Sequence, residues 1–303
     1  MGDIKLFQIK SKTVTELRGT EIAIEKSLQN LIEKNMEILL GVTFLSSEYS
    51  TGKTHGGRID SLGIDENGCP VIVEYKRAMN ENVINQGLFY LDWLMDHKAQ
   101  FKILVMDQIN RKTADNIEWS SPRLLCIAGD FTKYDLHAVQ QINRNLELIR
   151  YKKFGKDLIL FELVNATMAK EAEPGTRKSS KGKHRYKYMP EVIRELSGET
   201  MDRFDNLKSF ILALGDDVQM KQLKFYVAFK RIKNFACVEV HPQKNCLTVF
   251  LKIDPKSIKL EKGFTRDVSK IGHYGTGDLE VTIKSDEDIE KVKKLISTSY
   301  EES

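Results

Sequence analysis

Apolar residues recur at the spacing of an α-helix between residues 20 and 41 and predict the first long helix of the chain. This apolar stripe consists of Ile24, Leu28, Leu31, Ile32 and Leu39. Thr20 can cap the helix at its beginning, and Gly41 can end it. The pattern then changes to short runs with the composition of strands, so the chain begins as a helix followed by a sheet.

Three strand-like runs follow, and a turn-forming "ENGCP" separates the last two. They are "VTFLSSEYS", "RIDSLGID" and "PVIVEYK". Beyond them the pattern predicts a helix capped by Asn80, a strand "FKILVMD", a helix around residues 111–119, and a strand "RLLCIAG". A helix from about Thr132 to Asn145 and two further strands, "LELIRYKKF" and "LILFELV", complete this part. Strands in a meander, then a crossover helix and another strand, predict an α/β fold with a mixed central sheet flanked by helices.

The composition changes abruptly after residue 165 and predicts two domains. Residues 166–189 contain few aliphatic side chains and are rich in Lys, Arg, Ser and Gly, as a basic flexible linker is. Residues 190–303 carry their own apolar runs, which predict helices at both ends and the paired strands "FACVEVHP" and "CLTVFLKID". We therefore expect a first domain over residues 1–165 and a second α+β domain over residues 190–303.

Charge and composition exclude some classes of protein. The 47 basic and 43 acidic residues leave a net charge of only +4, so any nucleic-acid binding must come from local clusters. No apolar run approaches the roughly 20 residues that cross a bilayer, and no signal region precedes the first helix. The four cysteines are scattered, which is typical of reduced thiols in a cytoplasmic protein and argues against zinc. The sequence thus predicts a cytoplasmic protein that does not interact with membranes.

Two acids and a lysine interrupt strands that otherwise have the composition of buried strands. Side chains alternate along a strand, so Glu74 and Lys76 emerge on one face and Tyr75 on the other. The turn brings Asp60 beside this strand, where the carboxylates of Asp60 and Glu74 can share a face. Carboxylates are hard oxygen ligands suited to Mg²⁺ or Mn²⁺, and a nearby lysine can position an attacking water. This combination predicts the hydrolysis of a phosphodiester.

The spacing D-x13-E-x-K resembles the signature of the PD-(D/E)xK, or restriction-endonuclease-like, nuclease superfamily. The phrases "GGRIDSLGID" and "VIVEYKRA" look most like the catalytic domains of NucS-type endonucleases. The usual proline before the first acid is replaced here by Ile59. The resemblance covers residues 20–110 and implies an αβββαβ core, catalysis by Asp60, Glu74 and Lys76, and DNA as the partner. Many members act as dimers, so a homodimer is one assembly that it implies.

The same resemblance extends to further residues. It implies that Glu25, on the first helix, adds a third acid near the metal. Gln86 and Tyr90, one helical turn apart, resemble the Q-x3-Y motif that lies beside the catalytic site in related nucleases. Glu48 is a weaker candidate for a ligand.

Basic residues supply candidate phosphate contacts. Arg58 and Arg77 flank the acid-acid-lysine set and could meet phosphates. The linker residues Lys181, Lys183 and Arg185 could attract phosphates as well.

Simpler interpretations remain open for each position. Asp60 alone could be a strand-end residue, and Glu74 with Lys76 a solvated ion pair. Glu25 could be an ordinary surface residue of its helix, and Tyr90 a core residue whose hydroxyl reaches the edge. The aromatic and basic residues of 220–235 could stack on bases, but at helical spacing a buried stripe is the favoured interpretation.

The sequence therefore predicts a metal-dependent deoxyribonuclease, and the family resemblance implies a role in DNA repair or defence. The alternative is a nucleic-acid-binding or protein-interaction module that keeps the nuclease fold without cleaving. A third option makes the second domain the functional one and the first its scaffold.

Overall fold

The computed structural model describes residues 4–21, 25–76, 82–167, 188–196 and 198–303. The chain forms two compact units, Met1–Glu171 and Ala172–Ser303. Most of the predicted linker falls outside the described residues, so its boundaries stay a prediction. No helix in the described ranges is long and apolar enough to span a membrane.

The first unit is an α/β fold built on a seven-stranded mixed sheet. Its elements are β1 (Leu6–Lys10), β2 (Thr13–Leu17), β3 (Gly19–Thr20), α1 (Glu25–Lys34), α2 (Met36–Leu40), β4 (Val42–Ser50), α3 (Gly52–His55), β5 (Arg58–Asp65), β6 (Pro70–Lys76), α4 (Asn82–Asp96), α5 (Lys98–Gln108), α6 (Arg111–Asp115), β7 (Arg123–Ala128), α7 (Lys133–Gln140), β8 (Asn145–Phe154) and β9 (Leu158–Thr167). Strands β4, β5 and β6 pair antiparallel, whereas β6, β7 and β8 pair parallel. The predicted fold class is confirmed.

Helices cover both faces of the central strands, as their composition requires. Ile72 on β6 belongs to an apolar core with Leu91 and Leu94 of α4. Tyr75, on the opposite face of β6, donates to Ser61 Oγ at 3.1 Å, and Ser61 donates to Glu33 Oε1 of α1 at 2.6 Å. Strand β6 is therefore buried on both sides, which explains its run of β-branched residues. A charged side chain on this strand must find a partner within the protein or a bound ion.

The first predicted helix is interrupted in the structure. Thr20 pairs in β3 with β8 and does not cap α1, so that prediction was wrong. The helix is broken at Asn35 into α1 and α2, and Leu31 is exposed. Gly41 ends α2 as predicted: its φ is +64°, and a Cβ there would lie 2.3 Å from Glu66 Oε1. Asn80, the predicted cap of the next helix, is outside the described residues.

The run "FKILVMD" is helical, so its prediction as a strand was wrong. It lies in α5, where Phe101 and Val105, four residues apart, are buried, while Ile103 and Met106 are exposed. Burial at a spacing of four is that of a helix, and a short apolar run cannot distinguish the two forms by itself. The helix predicted over residues 111–119 is shorter and ends at Asp115. The αβββαβ pattern has one helix between its third and fourth strands. The structure has three helices there, α4, α5 and α6, before the strand β7.

The second unit is a six-stranded antiparallel sheet packed against helices. Its elements are α8 (Met189–Arg194), α9 (Gly198–Leu212), β10 (Gln219–Gln222), β11 (Val227–Lys230), β12 (Asn234–His241), β13 (Cys246–Leu251), β14 (Thr265–Asp267), β15 (Leu279–Ile283) and α10 (Asp286–Glu301). The strands predicted from "FACVEVHP" and "CLTVFLKID" pair as β12 and β13. Residues 220–235 form β10, β11 and the start of β12, so the assumed helical spacing was wrong. Tyr226, Phe229 and Phe235 are nevertheless buried, as the favoured interpretation expected.

Candidate active site

Strands β5 and β6 carry two acids at the point where their backbone pairing stops. The last paired residues are Ser61 and Val73, so Asp60 and Glu74 come next and face the same side of the sheet. Their carboxylates bond to the opposite backbone: Tyr75 N donates to Asp60 Oδ2 at 3.0 Å, and Asp60 N donates to Glu74 Oε1 at 3.2 Å. These reciprocal bonds hold the two side chains together at the open end of the strand pair.

The two carboxyl groups are costly to ionise in this position. Burial, followed by the charge of Asp60, raises the pKa of Glu74 to about 9. Burial also raises the pKa of Asp60. Glu74 is fully buried, and within the described part of the chain its Oε2 has no hydrogen-bond partner. A buried carboxylate oxygen without a partner is an unusual cost in a folded protein and indicates a site for a ligand.

Lys76 supplies positive charge at the same place. It follows Glu74 by two residues on β6, and its side chain is 22% exposed. Its charge lowers the pKa of both Asp60 and Glu74. Glu25, at the first turn of α1, lies with its Oε1 3.9 Å from Lys76 Nζ. The structure therefore brings the four predicted residues Asp60, Glu74, Lys76 and Glu25 into one neighbourhood.

The donor set fits a divalent cation that keeps part of its water shell. In the described ranges no three His, Cys, Asp or Glu side chains form a group that could hold a metal ion. Asp60 and Glu74 thus provide a pair of carboxylates, while the recorded ion pair of Glu25 is with Lys76. Mg²⁺ is commonly held by one or two carboxylates and retains several waters. The unpartnered Glu74 Oε2 is the oxygen that such an ion would satisfy.

Gln86 and Tyr90 of α4 meet the loop that leads into β5. Gln86 Nε2 donates to Tyr90 Oη at 3.1 Å, and the backbone N of Arg58 donates to the same oxygen at 3.2 Å. Gly57 lies so close that an added Cβ would be 2.6 Å from Tyr90 Cε1. Tyr90 is largely buried and fixes the backbone two residues before Asp60. The predicted one-turn pairing of Gln86 and Tyr90 is present as a hydrogen bond.

Replacing Tyr90 by phenylalanine is expected to destabilise the first unit by about 1–2 kcal/mol. The change removes the acceptor of Arg58 N and Gln86 Nε2 and leaves the ring in place. Urea unfolding of Tyr90→Phe measures this loss, and Tyr134→Phe, at an exposed tyrosine of α7, is the matched control. Equal midpoints for Tyr90→Phe and wild type would show that the hydroxyl does not hold the loop.

An open cavity of about 590 Å³ lies in front of Asp60, whereas Glu74, Lys76 and Glu25 are not among the residues that line it. Asp60, Gln86 and Tyr90 line it together with residues of the segment from β4 to the start of β5: Glu48, Ser50, Gly52, Lys53, Gly56, Gly57 and Arg58. Arg58 has the predicted position beside the site, and its Nε pairs with Glu48 Oε2 at 3.1 Å. Arg77, Lys181, Lys183 and Arg185 lie outside the described residues, so their predicted phosphate contacts stay predictions.

Glu48 has a position that the sequence did not reveal. A bulge at Leu45 shifts the pairing of β4 and β5, so Glu48 stands between the pairs Ser47↔Ser61 and Tyr49↔Ile59, level with Asp60. Its φ is +53°, in the left-handed region that non-glycine residues rarely adopt. Its Oε1 accepts from Lys26 Nζ at 2.8 Å, and this bond lowers the pKa of Glu48. Glu48 is thus an ionised acid at the cavity wall, and strain of this kind concentrates at functional sites.

Gln29 is a second residue that sequence reasoning missed. This buried side chain of α1 donates through Nε2 to the backbone O of Asp60 at 2.8 Å and to Ser47 Oγ at 3.2 Å. Its Oε1 accepts from Lys26 Nζ at 3.0 Å. Helix α1 therefore fixes the backbone of Asp60 from behind. A polar residue among the apolar positions of this helix is the only sequence signal of that role.

Comparisons with known proteins give two similarities at the level of sequence. Residues 189–303 match a family described as a domain of unknown function, DUF5655. An uncharacterized protein of Haemophilus influenzae is 28% identical over 99% of this chain and 100% of its own length.

Solved structures that are similar to part of this chain include the following two. A repair endonuclease from Pyrococcus abyssi is 21% identical, with 45% of this chain and 50% of that chain covered and a TM-score of 0.30. EndoMS in its complex with double-stranded DNA is 15% identical, with 48% of this chain and 64% of that chain covered and a TM-score of 0.25. The chain spans less than two thirds of the length of either protein.

Proposed function

We propose that the first unit is a metal-dependent nuclease that hydrolyses phosphodiester bonds in DNA. The observation that carries the proposal is the pair of the half-buried Asp60 and the buried Glu74, in which Glu74 Oε2 has no partner among the described residues. Two carboxylates with raised pKa values are stable as anions only when positive charge joins them. The open cavity in front of Asp60 gives a polyanionic substrate access to that charge.

Asp60 and Glu74 would hold Mg²⁺ or Mn²⁺, as the donor set indicates. A bound ion of this kind supplies positive charge for the phosphate and lowers the pKa of a water molecule. Glu25 contributes through Lys76, because its carboxylate lies 3.9 Å from the ammonium group and orients it. The expected role of Glu25 as a third direct ligand is therefore replaced in this proposal by a role in positioning Lys76.

Lys76 and Tyr90 would act on the substrate. The Lys76 ammonium, two residues beyond Glu74, would hold the attacking water and stabilise negative charge on the phosphate. The two recorded hydrogen bonds of Tyr90 both use its Oη as an acceptor, so its O–H can still donate to a phosphate oxygen. Gln86 fixes the hydroxyl, and Arg58 and Lys53 at the cavity wall add positive charge for the DNA backbone.

Incubation with DNA tests this proposal. We expect the full chain to cleave plasmid, linear duplex or single-stranded DNA in Mg²⁺ or Mn²⁺, and to lose all cleavage in EDTA. Asp60→Asn, purified in the same way, controls for contaminating nuclease, because the variant keeps an oxygen acceptor for Tyr75 N but removes a charge. Cleavage that is equal in wild type and Asp60→Asn would overturn the proposal.

The second candidate is a module that binds nucleic acid without cleaving it. The cavity with Lys53 and Arg58 is compatible with that function as well. Binding of DNA with no cleavage in either metal, unchanged by Asp60→Asn, would favour it. The unpartnered Glu74 Oε2 favours the nuclease, because a binding module gains nothing from an unsatisfied buried acid. A role in DNA repair or defence belongs to the same proposal.

A further inference from the structure

Three aromatic side chains from separate segments of the second unit meet at its surface around one lysine. Tyr188 precedes α8, Phe225 lies in the turn between β10 and β11, and Tyr274 lies in the glycine-rich loop before β15. Phe225 and Tyr274 stack with ring centroids 4.2 Å apart, and Tyr188 meets Phe225 edge-on at 6.3 Å. Lys224 Nζ lies 5.0 Å from the ring centroids of both Tyr188 and Phe225. We name these four residues the aromatic platform.

Two of the three rings of the platform are exposed, and Phe225 between them is half-buried. Tyr274 is 54% exposed and Tyr188 37% exposed, and Lys224 is exposed as well. In a hairpin of this kind an aromatic ring ordinarily turns into the core, as the neighbouring Tyr226 does. The exposed ring of Tyr274, stacked on Phe225, presents a flat surface. A flat π-face with an adjacent cation is a surface on which a nucleobase can stack.

The glycine-rich loop is pinned, so Tyr274 is held in position before any ligand arrives. Thr276 N donates to Cys237 Sγ at 3.4 Å, and Asn234 Nδ2 donates to Thr276 Oγ1 at 3.2 Å. Gly275 has a φ of +81°, and an added Cβ would lie 2.7 Å from Cys237 Cβ. The motif "GHYGTGD" is thus a tight loop in which the ring of Tyr274 is exposed.

The other side of the platform is also fixed. The backbone N of Met189 donates to the backbone O of Lys224 at 2.8 Å, and Leu223 N donates to Tyr226 O at 2.9 Å. These bonds join the start of α8 to the tip of the hairpin. A surface that is already ordered loses little conformational entropy when it binds a ligand, and this raises its affinity.

The sequence before the platform indicates what occupies it. Directly before Tyr188 the chain carries six Lys or Arg and no acid between residues 177 and 187. Aromatic rings that follow such a basic run in the sequence suit a polyanion with flat bases. We infer that the platform binds unpaired bases of single-stranded DNA, with Tyr274 as the stacking residue and Lys224 beside the backbone. This inference concerns the second unit and holds whether or not the first unit cleaves DNA.

Binding of a fluorescein-labelled dT20 oligonucleotide to the full chain in EDTA tests the inference. Removing one stacking ring typically weakens binding about 5- to 150-fold, so Tyr274→Ala is expected to raise the Kd of dT20 by that factor. Lys224→Ala is expected to raise it less and to flatten its dependence on salt. A 20-base-pair duplex, whose bases are not free to stack, should bind Tyr274→Ala as tightly as wild type.

Tyr134→Ala is the matched control. Tyr134 is 69% exposed and has Lys133 Nζ 5.1 Å from its ring centroid, but it lies in the first unit, in α7. Its removal should leave the Kd of dT20 unchanged. Because Tyr274 is exposed, Tyr274→Ala is expected to unfold at the wild-type temperature, and Phe225→Leu gives a second variant with the ring removed.

Three outcomes would overturn the inference. The first is a wild-type protein that does not bind dT20 at low salt. The second is equal binding of dT20 by wild type and Tyr274→Ala. The third is Tyr274-dependent binding of a decaproline peptide without binding of dT20, which would assign the platform to a proline-rich protein. Metal-dependent cleavage of duplex DNA, measured in parallel, reports on the first unit separately, so failure of one proposal is distinguishable from failure of the other.

Discussion

Replacing Lys76 by methionine is expected to lower the rate of DNA cleavage by about 10²- to 10³-fold at saturating Mg²⁺. Methionine keeps the unbranched apolar part of the side chain but removes the ammonium group that faces Asp60, Glu74 and Glu25. The loss should fall on kcat, because a charge that stabilises the transition state is used in the chemical step. Single-turnover cleavage of a labelled duplex measures it.

Lys102→Met is the control for this change. Lys102 also pairs with an acid, Asp115, at 2.7 Å, but its side chain is half exposed and lies on α5. The control should cleave as fast as wild type. A Lys76→Met protein that keeps full kcat would show that the lysine is only the partner of Glu25, as a surface ion pair would be.

Replacing Glu74 by glutamine is expected to stabilise the metal-free protein while it abolishes cleavage. The pKa of Glu74 is about 9 in the folded protein, whereas a glutamate in the unfolded chain ionises near its ordinary value of 4.5. Between these values the folded state binds a proton that the unfolded state has lost. Stability therefore decreases as pH rises, by about 1.4 kcal/mol for each pH unit.

Glutamine removes this pH dependence because it has no proton to lose. At pH 7.5 in EDTA the variant is expected to exceed wild type by about 2–4 kcal/mol, and the difference should grow towards pH 9. Burial raises the pKa of Asp60 as well. The unfolding free energy of Glu74→Gln should therefore still decrease as pH rises, but with a smaller slope than that of wild type. Thermal unfolding from pH 5.5 to 9 measures both slopes.

Glu16→Gln, at an exposed glutamate of β2, is the control and should follow wild type at every pH. Mg²⁺ should raise the melting temperature of wild type and leave that of Glu74→Gln unchanged, because only the wild type gains a ligand. If Glu74→Gln melts below wild type at pH 8 in EDTA, the acid is satisfied in the metal-free protein and the basis of the proposed metal site is lost.

The alternation of side chains along a strand and the short connection of a hairpin were sufficient to predict how Asp60, Glu74 and Lys76 are arranged. Alternation along a strand places Glu74 and Lys76 on one face, and a hairpin between two apolar runs brings Asp60 opposite Glu74. Both inferences need only the period of a strand and a short connection. The fold class followed for the same reason, and it is confirmed. The chemical roles of these residues stay predictions.

Longer-range features could not be obtained from the sequence. The bulge at Leu45 moves Glu48 level with Asp60, whereas an unbroken register would have placed Ser47 there. A one-residue shift of this kind depends on packing across the sheet. The hairpin β1–β2 is almost entirely exposed, so burial left no pattern to predict it.

Buried charges elsewhere show the same limit. Arg123 pairs with Asp65 at 3.0 Å and with Glu147 at 2.8 Å, and all three are buried far apart in sequence. No pattern of neighbouring residues in the sequence predicts such a triad, because its three members lie on different strands far apart along the chain. In contrast with Glu74, this group satisfies its charges within the protein, which explains why burial alone does not mark a site.

Binding of Mn²⁺ in the absence of DNA tests the central claim most directly. Titration of the metal into the full chain, followed by electron paramagnetic resonance, reports a site that does not depend on cleavage. Removing a residue that hydrogen-bonds to a metal ligand typically weakens metal binding by at least about tenfold, and removing the ligand itself should cost no less. Asp60→Asn and Glu74→Gln should therefore each bind Mn²⁺ at least about tenfold more weakly than wild type. Equal binding of Mn²⁺ by wild type and both variants would contradict the assignment of Asp60 and Glu74 as a metal site.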